Sequence, residues 1–307
     1  MKAIFINQQG GPEVLTYGDL PDPVPGPGEI VVDIAAASIN AADWKVRSGQ
    51  GALNPKFPHV LGRDFSGTVA ALGAGVTDLA IGDDVFGVCD TGQEGAYAEK
   101  IAIKAAIVAK KPAAMPHADA AAMALAGLTA IVALEDSIKL QRGETILIQG
   151  GAGGVAGFAI QLARHLGARV ITTASAANHD YVRGLGAQEV IDYNAVDFTQ
   201  AIKDCDAVFD TVGGDVTQRS FAVLKSGGRA AFITAGPVPP TPSRQDVISL
   251  RPDVRRDRPH LERIVELVRL GAVRPPVMQF FKLSDAAAAH RLSESRHFRG
   301  KLILTPK

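Results

Sequence analysis

Two rhythms of apolar and polar positions divide the chain. In the first third, short apolar runs alternate with turn residues. Val24-Pro25-Gly26-Pro27-Gly28-Glu29 is turn-rich and leads into the β-branched run Ile30-Val31-Val32-Asp33-Ile34. His59-Val60-Leu61-Gly62 leads into Phe65-Ser66-Gly67-Thr68-Val69, and Gly82-Asp83-Asp84 turns into Val85-Phe86-Gly87-Val88. Short strands joined by glycine-containing turns predict a small, irregular β-barrel. Near residue 120 the rhythm changes. The Ala-rich stretch 118–133 predicts a helix, and Thr145-Ile146-Leu147-Ile148-Gln149 a buried strand. Val155, Phe158, Ala159, Leu162, Ala163 and Leu166 recur at helical spacing, with Gly167 as a stop. Further strands are predicted at Arg169-Val170-Ile171-Thr172-Thr173, Ala207-Val208-Phe209 and Arg229-Ala230-Ala231-Phe232-Ile233, each after a helical stretch. Alternating strands and helices imply a doubly wound parallel sheet. After the Pro-rich loop beyond Gly236, Leu261, Ile264, Val265 and Val268 mark one more helix. The last strand, Lys301-Leu302-Ile303-Leu304, is expected to rejoin the N-terminal barrel.

Composition narrows the class. Over 307 residues, apolar types make up 47% and charged types 21%, enough apolar material for about two domains. Lys plus Arg and Asp plus Glu both number 32, so no overall basic footprint points to nucleic acid or an anionic membrane. No apolar run is expected to reach the roughly 18 residues of a membrane span. The N-terminal apolar stretch is too short for a signal peptide. Cys89 and Cys205 are the two cysteines, too few for a disulfide framework, which predicts a reducing, cytoplasmic setting.

Gly151-Ala152-Gly153-Gly154-Val155-Ala156 has the form G-x-G-x-x-A between a predicted strand and an amphipathic helix. That context suits a dinucleotide: glycines admit the pyrophosphate, and the helix N-terminus supplies free N–H groups. An NAD-selective site usually carries an acid about 20 residues on, bonded to the ribose 2′-hydroxyl. The segment Thr172-Thr173-Ala174-Ser175-Ala176-Ala177-Asn178-His179 has none. Small polar groups there accept a 2′-phosphate without repelling it, so NADPH is the expected cofactor. The lesser alternative for Ser175 and Asn178 is ordinary helix capping.

With these residues assembled, the chain resembles the medium-chain dehydrogenase/reductase superfamily, and most of all its zinc-independent quinone oxidoreductase and enone (alkenal) reductase branch. The resemblance runs nearly end to end. It includes Gly10-Gly11-Pro12-Glu13-Val14-Leu15, Ser38-Ile39-Asn40-Ala41-Ala42-Asp43-Trp44-Lys45, Gly62-Arg63-Asp64-Phe65-Ser66-Gly67, Leu185-Gly186-Ala187 and Gly300-Lys301-Leu302. It implies an α/β fold: a GroES-like barrel over 1–122 and 268–307, and a Rossmann NADP-binding domain over 123–267. Zinc-dependent relatives place a Cys at the position of Asn40 and a His at that of Arg63, so no metal site is expected. For the cofactor, the resemblance implies Gly151, Gly153, Gly154 and Val155 at the pyrophosphate. Ser175, Ala176, Ala177 and Asn178 would surround the 2′-phosphate, with Tyr193 at the adenosine end. Thr129, Phe232 and Ile233 would line the nicotinamide pocket, and Gly300 and Lys301 would close it. Many relatives carry Lys at the position of His179.

No Ser/His/Asp or Cys/His constellation is evident, so the cofactor must carry the chemistry. In the enone-reductase branch, the Lys of the Asp43-Trp44-Lys45 segment reaches the substrate carbonyl oxygen. Lys45 would polarise the acceptor, and Asn40 would donate a second hydrogen bond. The implied protein is an NADPH-dependent, zinc-free reductase of quinones or α,β-unsaturated carbonyls. Two alternatives stand beside it: a quinone reductase that releases semiquinone, and a non-catalytic NADPH-binding sensor or structural protein. The expected partners are a small-molecule acceptor and a second copy of the chain, paired through the edge strand Val247-Ile248-Ser249-Leu250.

Overall fold

A computed structural model describes residues 1–51, 53–234 and 236–306. They form two compact units. One comprises Met1–Leu125, Arg256–Glu266 and Pro275–Lys307, and the other Ala126–Arg255 and Leu267–Arg274. The chain thus changes unit more often than the three-segment division expected from the sequence. Residues 256–266 fall in the first unit, not with the nucleotide-binding segment.

The first unit is the irregular barrel. Its larger sheet runs Met278–Lys282, Lys301–Thr305, Glu29–Ile39, Asp64–Leu72, Asp84–Val88, Val108–Lys110, with Lys100–Lys104 also paired to Glu29–Ile39. The C-terminal strand closes onto the N-terminal part: Leu302 pairs with Ile39 and Leu304 with Ala37, antiparallel. Glu29–Ile39 organises the sheet, and bulges at Val31/Val32 and Ile34/Ala36 let it turn between partners. Ile4, Ile30, Val32, Phe65, Val85, Leu302 and Leu304 meet in one core. The helices Ala41–Arg47 and Ala286–Ser295 pack on one another beside it.

The second unit is a six-stranded sheet, every pair parallel. Its order is Glu189–Asp192, Arg169–Ala174, Thr145–Gln149, Cys205–Asp210, Leu224–Phe232, Ile248–Leu250. In chain order this is 3-2-1-4-5-6, the doubly wound arrangement whose ligands bind beyond the carboxyl ends of the strands, where the winding reverses. The reversal falls at Thr145–Gln149, the strand that feeds the glycine cluster.

The Ala-rich stretch is helical from His117 to Ile131 and continues as a wider helical turn, Val132–Ile138. By length and composition this helix does reach the size of a membrane span, contrary to expectation, because its alanines keep the mean hydropathy high. Yet 83% of the qualifying window is buried inside the protein, as befits a core helix.

Candidate functional site

The glycine cluster is shaped by its own backbone. After Gln149 the chain turns at Gly150, whose φ of 76° lies in the left-handed region. Gly150 N–H donates to Thr173 Oγ1 (3.0 Å) and Gly151 N–H to Thr173 O (2.9 Å). Thr173 in turn donates to Gln149 Oε1 (2.7 Å). A Cβ on Gly151 would stand 2.3 Å from Thr172 Oγ1, so no side chain fits there. A Cβ on Gly153 would meet only Gly150 O, at 3.4 Å, and would fill the cradle itself. The helix Gly154–His165 starts here, and its first intrahelical bond runs from Gly157 N–H to Gly153 O (2.8 Å). The N–H groups of Gly154, Val155 and Ala156 precede that bond and remain for a ligand. A turn with no room for a Cβ at Gly151 and open space over Gly153, leading into a three-turn helix N-terminus, fits a dinucleotide pyrophosphate.

The neighbouring strand end supplies the rim. Arg169–Ala174 ends at Ser175, and Asn178 Nδ2 donates to Ser175 Oγ (3.0 Å). Ala176 and Ala177 are exposed beside them. His179 Nε2 is buried with no hydrogen-bond partner among the described residues. The first acid, Asp180, is fully exposed, with Arg183 at 3.6 Å. Ala174 pairs with Asp192, so Tyr193 follows on the same sheet edge as Ser175, 55% exposed. Asp210 shapes a second turn at this edge by accepting from Val212 N–H (2.8 Å), Gly213 N–H (3.0 Å) and Thr217 Oγ1 (2.7 Å). Ile233, half-buried, follows the strand Leu224–Phe232 at the same end. Thr129 lies buried in the helix His117–Ile131.

Phe232 departs from its expected role. It points into the sheet core, 0% exposed, with its ring 5.2 Å from that of Phe221. Alternation along a strand sends it and Ile233 to opposite sides, and its side chain has no surface for a cofactor.

The barrel unit holds a polar cluster around the helix Ala41–Arg47. Asn40 caps the helix, and its backbone N–H donates to Asp43 Oδ2 (2.8 Å). Asp43 also accepts from Tyr97 OH (2.7 Å), and Arg63 Nε stands 3.6 Å from its other oxygen. Burial and the nearby Glu94 push the Asp43 carboxyl up to about 7. Glu94 joins Arg63 Nε (2.9 Å) to His59 Nε2 (2.9 Å). Beyond Asn40, Asp64 accepts from Ser38 Oγ (2.7 Å) and Asn40 Nδ2 (2.9 Å).

Lys301 also faces inward. Its buried ammonium turns into this cluster and donates to Asn40 Oδ1 (2.7 Å) and Ile39 O (3.0 Å). Burial pushes its pKa down, countered by Asp64 and Asp43. Gly300, at φ 72°, is required by the turn: a Cβ would sit 2.0 Å from Val277 O. Asn40 is engaged on both sides, by Asp64 and Lys301, so it positions its neighbours instead of offering a free donor. Lys45 is different. It is half-buried, its Nζ 5.8 Å from the Trp44 ring centroid, and burial followed by the charge of Arg296 pushes its pKa down.

Sequence reasoning missed the far end of this helix. Arg47, 1% exposed, donates through Nε to Gly10 O (3.1 Å), through a terminal nitrogen to His290 Nδ1 (3.1 Å), and pairs with Glu294. The signal was thin: a lone Arg at the end of a short helix, partnered 243 residues away. Asp43 carried a fairer signal, since an acid three residues after an Asn is a capping pattern.

The chain resembles known proteins over its whole length. Residues 26–113 match the alcohol dehydrogenase GroES-like domain and residues 185–304 the zinc-binding dehydrogenase family. A quinone oxidoreductase from Coxiella burnetii superposes with a TM-score of 0.93 at 35% identity, covering 100% of this chain and 99% of that one. Escherichia coli quinone oxidoreductase complexed with NADPH gives a TM-score of 0.92 at 30% identity, covering 100% of both. The chloroplastic NADPH-dependent alkenal/one oxidoreductase of Arabidopsis thaliana is 31% identical, over 100% of this chain and 80% of its own.

Proposed function

Because the chain belongs to the quinone oxidoreductase and enone reductase branch of the medium-chain dehydrogenase/reductase superfamily, we propose that it is an NADPH-dependent reductase of quinones or of the C=C bond of α,β-unsaturated carbonyls, working without zinc. The observation that carries this reading is the glycine cradle at the point where the sheet reverses its winding. Gly151, Gly153, Gly154 and Val155 would hold the pyrophosphate. Ser175 and Asn178 would receive the 2′-phosphate, with no carboxylate among residues 172–179 to repel it.

When bound, the cofactor supplies a hydride. The protein's part is to hold the acceptor and stabilise the negative charge that grows on its oxygen. Lys45 is assigned that part, donating from its ammonium to the carbonyl or quinone oxygen. A depressed pKa makes it the better proton donor. In this reading the α-carbon of an enone takes its proton from water. The donor set supports zinc-free chemistry. Arg63 occupies the place of a zinc-ligating His with a fixed positive charge, already bonded to Glu94 and close to Asp43. Among the described residues, no group of three or more His, Cys, Asp or Glu is arranged to hold a metal. The two thiols, Cys89 and Cys205, are free and buried, which suits a reducing compartment such as the cytoplasm.

The test is an NAD(P)H-oxidation screen over short enones, alkenals and quinones, before and after prolonged chelation. Turnover with NADPH exceeding that with NADH, unchanged by chelation, is the expected result. Tight NADPH binding without turnover on any acceptor would mark a sensor instead.

A further inference from the structure

At the carboxyl ends of the parallel strands, the residues that follow Leu224–Phe232 are held from two sides. One side is the turn shaped by Asp210. Ile233 N–H donates to Asp210 O (3.4 Å), and the Asp210 carboxylate accepts from Val212 and Gly213 N–H. Gly213 turns there at φ 83°. A Cβ on it would stand 2.4 Å from Thr234 Oγ1 and 2.9 Å from Thr234 Cβ, so Thr234 packs directly on this turn. The other side is Arg251. In the strand Ile248–Leu250, Leu250 pairs with Ala231, parallel, so the next residue, Arg251, stands level with Phe232. Its guanidinium donates through a terminal nitrogen to Phe232 O (3.2 Å) and through Nε to Gly236 O (2.6 Å). Ile233 and Thr234 lie in sequence between these two carbonyls. Thr234 Oγ1 is buried with no hydrogen-bond partner among the described residues. A buried hydroxyl left unpaired is unfavourable, so neighbours must impose its position. The two Arg251 bonds are placed to do so.

We propose that Arg251 is a positioning residue for the nicotinamide end of the cofactor: by bridging Phe232 O and Gly236 O, it fixes Ile233 as a wall for the ring. The inference rests on the function proposed above and adds to it a residue that acts through Ile233. Phe232 points into the core, so Ile233 faces the other way. It is half-buried at the strand ends, where ligands of a doubly wound sheet bind. Ile233 offers only apolar surface, so its effect depends on where it stands. A ring set against a wall that yields gains less on binding, and a misplaced hydride donor loses rate. The chemistry suits arginine. A guanidinium carries five donors in a rigid plane and so reaches two carbonyls at once, whereas a lysine ammonium is a point donor on a flexible stem. The phosphate groups are assigned to residues that follow Thr145–Gln149 and Arg169–Ala174. Those strands stand three and four places from Ile248–Leu250 in the sheet, so Arg251 should act on one end of the cofactor alone.

Calorimetric titration with two ligands tests this without turnover. One is NADPH. The other is 2′-phosphoadenosine 5′-diphosphoribose, which keeps the adenosine, the pyrophosphate and the 2′-phosphate but has no nicotinamide. Arg251→Met keeps the aliphatic stem and removes every donor. It should weaken NADPH by about tenfold, the scale of one hydrogen bond from a charged donor, and leave the nicotinamide-free ligand unchanged. Arg251→Lys keeps a charged donor and should weaken NADPH by about threefold. The lysine variant carries the same comparison if the methionine variant does not fold. In quinone reduction, kcat should fall in the same order of variants. An arginine that merely supports the fold would weaken both ligands together. Equal weakening of the two ligands, or none of either, would therefore overturn the proposal. The broader reading fails separately. If the wild type binds neither ligand, the NADPH reading falls and takes this inference with it. If the wild type binds both and reduces a quinone, while the variants treat the two ligands alike, the function stands and this inference falls.

Discussion

Lys45 is a cation with no ion-pair partner among the described residues, and that decides what it can do. An ammonium already paired with a carboxylate would lose that partner before it could serve a substrate oxygen. Lys45→Ala should lower kcat with enones and quinones by about ten- to a hundredfold, less than a fully buried oxyanion donor would cost because water reaches it. The dissociation constant for NADPH should change much less, and fluorescence titration beside steady-state kinetics separates the two. A wild-type kcat in the alanine variant would remove Lys45 from the reaction. At this scale the sequence was informative where chemistry is local. Lys45 and Asn40 share one short segment, and Ser175 and Asn178 share one turn. Phe232 and Lys301 read as site residues because their motif is the family's, yet their side chains point inward. Whether a strand residue faces core or edge depends on register, and one position separates Phe232 from Ile233.

The helix Ala41–Arg47 is too short to be stable alone, so its ends must be held. Asp43 ties the first turn to the Asn40 backbone and to Tyr97, and Arg47 ties the last turn to His290, Glu294 and Gly10 O. Arginine can only donate, so His290 accepts at Nδ1 and must be neutral there. Burial, then Arg47, pushes its pKa down to about 3. A histidine held neutral in the fold contributes stability above its unfolded pKa of about 6.5, which is lost as pH falls toward the folded value. His290→Gln keeps an acceptor without titrating. The wild type should therefore lose stability relative to this variant by about 1.4 kcal/mol per pH unit between about pH 6 and 4. Urea unfolding across that range checks it, and a constant difference would mean that His290 is charged in the fold. The strands, the long helix and the glycine cradle were legible because their periods and turn residues are local signals. The Arg47–His290 tie was not, because no periodic pattern links positions 243 residues apart.

At the scale of the whole molecule, the parallel sheet ends in a short strand, Ile248–Leu250, bonded on one side to Leu224–Phe232. Ile248 is 49% exposed on it. A bare apolar edge invites a second strand, and a two-fold pairing of identical edges is the simplest closure. Light scattering at micromolar concentration should give twice the chain mass of 32.1 kDa, and Ile248→Lys should return it to the single-chain value. A wild type already at the single-chain mass would refute the pairing.

The closing strand of the barrel has a further consequence, one of timing. Residues 126–255 of the parallel-sheet unit form one continuous stretch, whereas the unit bearing Lys45 borrows Arg256–Glu266 and Pro275–Lys307 from the far end of the chain. On a ribosome the parallel sheet can form while translation continues. The barrel must wait for Lys301–Thr305 to pair with Glu29–Ile39, and for His290 and Glu294 to reach Arg47. The lysine proposed to do the chemistry precedes the parallel-sheet residues in the chain, but its scaffold is finished only by segments that follow the sheet. A chain cut short before them would keep its nucleotide cradle and lose its reaction centre.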